Sequence, residues 1–165
     1  NVDNGVIHLV DAVIGLPTIV TMATSNGSFT NLVAALTRDD QPDFVSILST
    51  ANGTDPAPFT VFAPTDDAFG ALLTELGATS LADIDAATLT ATLNHHVVGG
   101  ANVTADMLSD NMTVTTLGGD ITANISGGAT LTDANGRVSN IVATNVQTAN
   151  GVIHVIDKVV LPNLN

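Results

Sequence analysis

Four histidines and sixteen carboxylates are the side chains of this sequence that can move a proton or hold a metal, and it contains no cysteine. The tightest grouping is His95-His96. On an extended segment adjacent side chains point to opposite faces, so the two imidazoles do not converge on one ion. His96 then reads as a core histidine bonded to backbone, and His95 as the member of the pair open to a surface contact. His154 and His8 are each followed three positions later by an aspartate, Asp157 and Asp11. That odd spacing on a strand separates the partners, which favours a structural role over an acid–base dyad. Asp66-Asp67 suits the start of a helix, and Asp39-Asp40 a solvated turn. Asp133-Ala-Asn135-Gly136 opens like a calcium loop, yet Arg137 stands at the third ligand position and no glutamate closes it, so a hairpin turn is expected there. No nucleophile elbow or phosphate-binding loop is present. The expectation is no catalytic residue, no metal and no cofactor.

The elements that position these groups begin with Phe59-Thr-Val-Phe-Ala-Pro-Thr-Asp-Asp-Ala-Phe69. Phe59, Val61 and Ala63 alternate with Thr60 and Phe62, which predicts a strand buried on both faces. Pro64 ends it, Thr65 or Asp66 caps a following helix, and that helix carries Phe69, Leu72, Leu73 and Leu76 back toward the strand. Upstream, a helix is predicted after Pro17-Thr18, a second capped by Ser28 with Phe29, Leu32, Val33 and Leu36 on one stripe, and a third through Phe44 to Leu48. Downstream, Gly77 stops the helix, Ser80 caps a turn, Asp85 caps a helix through Leu89 and Leu93, and His95 to Gly100 reads as a strand. From Asn111 the period changes to two, with strands at 113–117, 121–125, 129–132, 138–147 and 152–160 separated by Gly-Gly and Asn-Gly turns. Helices first and strands second predict an α+β fold.

Three of these stretches resemble the signature boxes of fasciclin domains, a family of extracellular adhesion modules. Phe59 to Phe69 is similar to the first box, Leu93-Asn-His-His-Val-Val98 to the central segment, and Asn150-Gly-Val-Ile-His-Val-Ile-Asp-Lys-Val-Val-Leu-Pro162 to the closing box. The resemblance implies a small β-sandwich or wedge with a helical layer from the N-terminal half. It gives Phe59, Phe62, Pro64, Thr65, Asp66, Phe69, His154 and Asp157 the role of structural signature. It also implies that His95 and His96, where the family usually has Tyr-His, belong to a receptor-contacting segment. Asn140-Ile141 occupies the place of an Asp-Ile pair implicated in integrin contact in animal members. Asparagine lacks the carboxylate that would reach an integrin's metal, so another surface or matrix partner is expected.

Residues 4–17 repeat the closing box, with Asn-Gly-Val-Ile-His identical and one glycine inserted before Leu-Pro. Residues 1–17 are therefore read as the last strand and linker of a preceding fasciclin-like repeat, and 18–165 as a complete domain. Val6, Ile7, Val10, Val13 and Ile14 would need cover, which makes head-to-tail self-association through this arm an alternative role. The net charge of −13, against only three basic residues, excludes nucleic acid and anionic membrane surfaces as partners. No uninterrupted apolar run of about eighteen residues is present, so no membrane span is expected. Only 12% of residues are charged, so the polar surface is built from Thr, Asn, Ser and Gly, which suits a secreted or cell-surface protein in a salty setting. The expected function is non-catalytic adhesion: an extracellular module of a tandem array that binds a cell-surface or matrix protein or glycan.

Overall fold

The order of helices and strands follows capping and burial closely. The computed structural model describes residues 15–163, with α1 at Ile19–Ser25, α2 at Thr30–Leu36, α3 at Phe44–Leu48 and β1 at Phe59–Pro64. These are followed by α4 at Asp66–Leu76, α5 at Ala86–Asn94, β2 at Val97–Gly99, β3 at Met112–Thr116 and β4 at Gly119–Asn124. The chain closes with β5 at Thr130–Thr132, β6 at Val138–Thr148 and β7 at Gly151–Ile156. Residues 1–14, which hold most of the repeated segment with His8 and Asp11, lie outside the described residues.

Thr18 caps α1, Thr65 caps α4 with Asp66 and Asp67 in its first turn, and Asp85 caps α5, each side-chain oxygen accepting from a backbone N–H that the helix leaves unpaired. Gly77 ends α4 with φ at 67°, where a β-carbon would be strained. Ser28 does not cap α2: it lies in a short 3₁₀ turn, Gly27–Phe29, whose own cap is the Asn26 side chain, and α2 starts without a side-chain cap. The tighter turn keeps Phe29 in the core and so wins over a Ser28 cap.

The seven strands among the described residues form one sheet in the order β2-β1-β7-β6-β5-β4-β3. Only β1 and β7 run parallel. β1 is buried along its whole length, because β2 and β7 flank it and both of its faces are covered. Phe59, Val61 and Ala63 face a core made with the helices through Phe29, Leu32, Phe44, Phe69, Leu89 and Leu93. Phe62 faces a second core with Val98, Val114, Ile121, Leu131, Ile156 and Val160. The second core exists because the sheet folds over itself. β6 pairs with β5 through Val138–Asn140 and with β7 from Ile141 onward, with two register shifts between Ile141 and Val146 and a left-handed Asn145. The far end of the sheet then returns to its beginning, where Leu117 N–H donates to Val97 C=O at 2.8 Å. The architecture is an α+β wedge, a bent sheet with a helical layer, and not a closed barrel.

Candidate functional site

The central segment departs from the strand expected for it. His95 terminates α5, with its N–H donating to Ala91 C=O, His96 N–H donates to Leu93 C=O, and only Val97–Gly99 is extended. Both rings are buried, His95 at 3% and His96 at 2% exposure, so His95 is not the surface contact that an extended segment would have made it. The helix end turns both side chains inward instead of alternating them.

His96 has two backbone partners. Nδ1 lies 2.7 Å from Thr92 C=O, which only accepts, and Nε2 lies 3.1 Å from Val160 N–H, which only donates. Nδ1 therefore carries the proton and Nε2 accepts, which fixes one neutral tautomer. Burial pushes the ring down to about 4, with the Thr92 carbonyl opposing that shift. His154, fully buried on β7, donates from Nε2 to Val103 C=O at 2.8 Å and stacks on Phe62 with centroids 5.6 Å apart. Burial lowers its pKa as well, against the Val103 carbonyl. The His95 ring is wedged against the β3–β4 turn. A β-carbon on Gly118 would stand 2.3 Å from its Nδ1, so glycine at that position is what lets the ring in. Its pKa is lowered by the same desolvation.

His154 and Asp157 are not brought together. The ring faces Val103, whereas Asp157 is exposed and accepts from Asn140 N–H at 2.8 Å and Asn140 Nδ2 at 2.7 Å. Asn140 is thus exposed on β6 with its amide already bound, and Ile141 is half-buried against the second core. The buried histidines and this exposed pair do not form one surface. Asp133 is the hairpin residue expected of it. Its carboxylate accepts from the N–H groups of Asn135, Arg137 and Leu161, and Arg137 bridges it to Glu75 on α4.

Asn150 was visible in the sequence only as a turn residue, but it is a buried hub. Its Oδ1 accepts from Ile19 N–H at 3.0 Å, and its Nδ2 donates to Leu48 C=O at 2.7 Å and Thr50 C=O at 3.0 Å. It ties α1 and the end of α3 to the start of β7. Beside it, a β-carbon on Gly151 would lie 2.1 Å from Phe59 C=O, so β1 and β7 approach this closely only with glycine there. The signal for both roles was the duplication itself: a turn needs Asn-Gly, but it does not need the identical Val-Ile-His that follows at 6–8 and 152–154.

The cleft between α1, α2, α3 and the sheet has about 520 Å³ of empty volume, counted out to its open mouth. Ile19, Val20, Leu32, Phe44, Val61 and Ile153 are among its walls, and no titratable side chain lines it. On the outside of the molecule, Val138, Asn140 and Val142 form an exposed strip along β6, with the two valines 48% and 57% accessible. All five phenylalanines are buried, and the chain has no tryptophan or tyrosine, so its surface offers no aromatic ring for stacking.

Comparison with known proteins places this geometry. The model of the Fasciclin domain matches residues 27–162. The chain is 37% identical over 145 residues to Protein sll1483 of Synechocystis sp., covering 88% of this chain and 73% of that protein. It is 30% identical over 148 residues to Immunogenic protein MPB70 of Mycobacterium bovis, covering 87% and 68% respectively. It is also 29% identical over 163 residues to a Fasciclin-like arabinogalactan protein of Arthroderma benhamiae, covering 99% of this chain and 35% of that one. Among solved structures, a FAS1 domain pair from the insect cell adhesion molecule Fasciclin I superposes with a TM-score of 0.68 at 18% identity. That match covers 92% of this chain and 52% of the pair. The bent sheet, the helical layer and the buried signature boxes are therefore those of a fasciclin domain, and this chain belongs to that family.

Proposed function

We propose that this chain is a non-catalytic extracellular adhesion module, one unit of a tandem fasciclin-like array, that binds a cell-surface or matrix partner through its outer face. The observation that carries this reading is the fate of the three histidines among the described residues. His95, His96 and His154 are buried, and His96 and His154 are committed to backbone groups of the scaffold. The names of the relatives point the same way: an insect cell adhesion molecule, an arabinogalactan protein, and a cell surface glycolipoprotein, MPB83 of Mycobacterium bovis, which is 32% identical over 146 residues. No helix among the described residues is long and apolar enough to cross a membrane.

The strip Val138, Asn140 and Val142 on β6 is the contact surface we assign, with the Ile141 backbone supporting it. Two exposed valines flanking a polar amide suit a protein or polymer partner met by apolar contact, and the absence of surface aromatic rings disfavours a glycan held by stacking. Weak single contacts would be multiplied by repetition along an array. The test is a binding screen of the chain against matrix proteins and glycan polymers, with and without calcium, beside the Val142→Lys variant. Binding lost in that variant at unchanged thermal stability supports the strip, and binding retained in full refutes it. A screen with no binder, together with concentration-dependent sedimentation, would favour the assembly role of the arm at residues 1–17. The 62% exposure of Leu16 gives that second reading its support.

A further inference from the structure

The outer face of strands β3 to β6 differs from the rest of the polar surface. Val114, Ile121, Ala123, Leu131 and Ser139 turn inward and are buried, so their neighbours along each strand face outward. The register lines these neighbours up across the sheet. Thr113, Thr122, Thr132 and Val138 form one row, and Asn124, Thr130 and Asn140 form the next. Thr115 stands opposite Asp120, the one charged side chain in these pairings. Every one of these side chains is exposed or half-buried.

The threonines of this face are also unlike the others. On the helices, Thr24, Thr37, Thr74, Thr90 and Thr92 each donate the hydroxyl to the carbonyl four residues earlier. Thr60, Thr116 and Thr148 donate theirs to Ala101, Gly119 and Gly151 C=O. The hydroxyls of Thr113, Thr115, Thr122, Thr130 and Thr132 have no partner among the described residues. Strand propensity accounts for a β-branched residue at each of these places. The register does more: it sets open hydroxyls side by side, each able to donate and to accept, next to the exposed Val138 and Val142.

Strand spacing makes this patch roughly 15 by 14 Å. A stable protein interface takes about 800 Å² from each partner, and the patch offers roughly a quarter of that. An extended polymer strand, in contrast, can cross all four strands of the patch and continue beyond them. A polyanion is repelled by the net charge of −13, and a polycation is drawn to the carboxylates, which lie almost entirely elsewhere. We propose that the outer face of β3 to β6 binds a strand of neutral polysaccharide, whose hydroxyls pair with the open threonines and whose C–H faces lie on Val138, Val142 and the threonine methyl groups. This rests on the adhesion reading above, extends its β6 strip across the sheet and names the chemistry of the partner. Hydrogen bonding of this kind needs no aromatic ring, and weak contacts gain strength where sites and sugars both repeat.

The test is an amide NMR titration of the chain with four neutral polysaccharides, laminarin, dextran, xyloglucan and galactomannan, and with alginate as the anionic comparison. Affinity electrophoresis then measures the double variant Thr122→Val/Thr132→Val, which loses two hydroxyls but keeps side-chain shape and strand propensity. The expected result is shifts at Thr113, Thr122, Thr132 and Asn140 with at least one neutral polymer and none with alginate. The double variant should keep its thermal midpoint and bind roughly tenfold more weakly or worse, as the loss of two hydrogen bonds implies. Should it fail to fold, Thr130→Val alone gives the same readout. No response to any neutral polymer, shifts confined to other faces, an equal response to alginate, or full binding by the valine variants would each overturn the proposal. A matrix protein that binds the chain, is lost in Val142→Lys and is retained in the double valine variant would leave the adhesion reading standing without this inference. Full retention of all binding in Val142→Lys would remove both.

Discussion

In the folded chain the His96 ring has a single tautomer, because Thr92 C=O can only accept from it and Val160 N–H can only donate to it. A second proton on Nε2 would oppose the Val160 N–H, and the buried charge would be unsolvated. The folded pKa, about 4, lies below the ordinary value of 6.5, so between those values the unfolded chain binds the additional proton. The stability contributed by the neutral ring is complete above the ordinary value and is lost as the pH falls toward 4, at a slope approaching about 1.4 kcal/mol per pH unit. His95 and His154, lowered by burial too, add in the same direction. Thermal midpoints should therefore drop across this acid window while the His96 ring signals show no titration above about pH 5 by NMR; a flat midpoint would contradict it. Asn150→Ala removes three hydrogen bonds and leaves Ile19 N–H, Leu48 C=O and Thr50 C=O without it. A loss of roughly 3 kcal/mol or more is expected in denaturant melts, and a cost below about 1 kcal/mol would show that the hub is dispensable. At Asn140, substitution to aspartate would face the carboxylate with Asp157 in place of an amide donor, so Asn140→Asp should lower stability at neutral pH and recover part of it in acid.

At the scale of elements, the local signals were legible and the long-range ones were not. Thr65, Asp85, Gly77 and the alternation in β1 announce their roles within a few residues, because capping and periodicity are local physics. His95 and His96 misled because an apolar Val-Val run follows them, whereas the two residues form the closing turn of α5, with their N–H groups bonded back to Ala91 and Leu93, and that turn brings both rings inward. Nor could the sequence reveal that β7 lies parallel to β1, or that Asp133 gathers the N–H of Leu161 from beyond β7, since both contacts depend on how the sheet folds back. The Asp133 clamp joins the β5–β6 turn to the C-terminal segment, and Arg137 extends it to α4. Asp133→Ala should therefore loosen the C-terminal segment first, seen as faster amide hydrogen exchange at Leu161 than at Ile153. Equal protection at both positions would deny the clamp that role. Phe62→Ala should cost about 3–5 kcal/mol, since it empties the centre of the second core and unstacks His154; a fully cooperative melt at an unchanged midpoint would show that core to be unimportant.

At the scale of the whole molecule, sixteen acids against three bases give a self-repelling chain. Screening shortens from about 10 Å at 0.1 M salt to about 3 Å at 1 M, so sodium chloride should raise the thermal midpoint over that range; a falling midpoint would mean that repulsion is not a significant cost. The last strand to be written in the sequence, β7, is not at an edge: it lies between β1 and β6 in the sheet. As the polypeptide leaves the ribosome, its helices and β1 emerge with an empty central position that only the final residues of the unit can fill. The sheet therefore closes only once β7 has been made, and until then the facing edges of β1 and β6 wait unpaired.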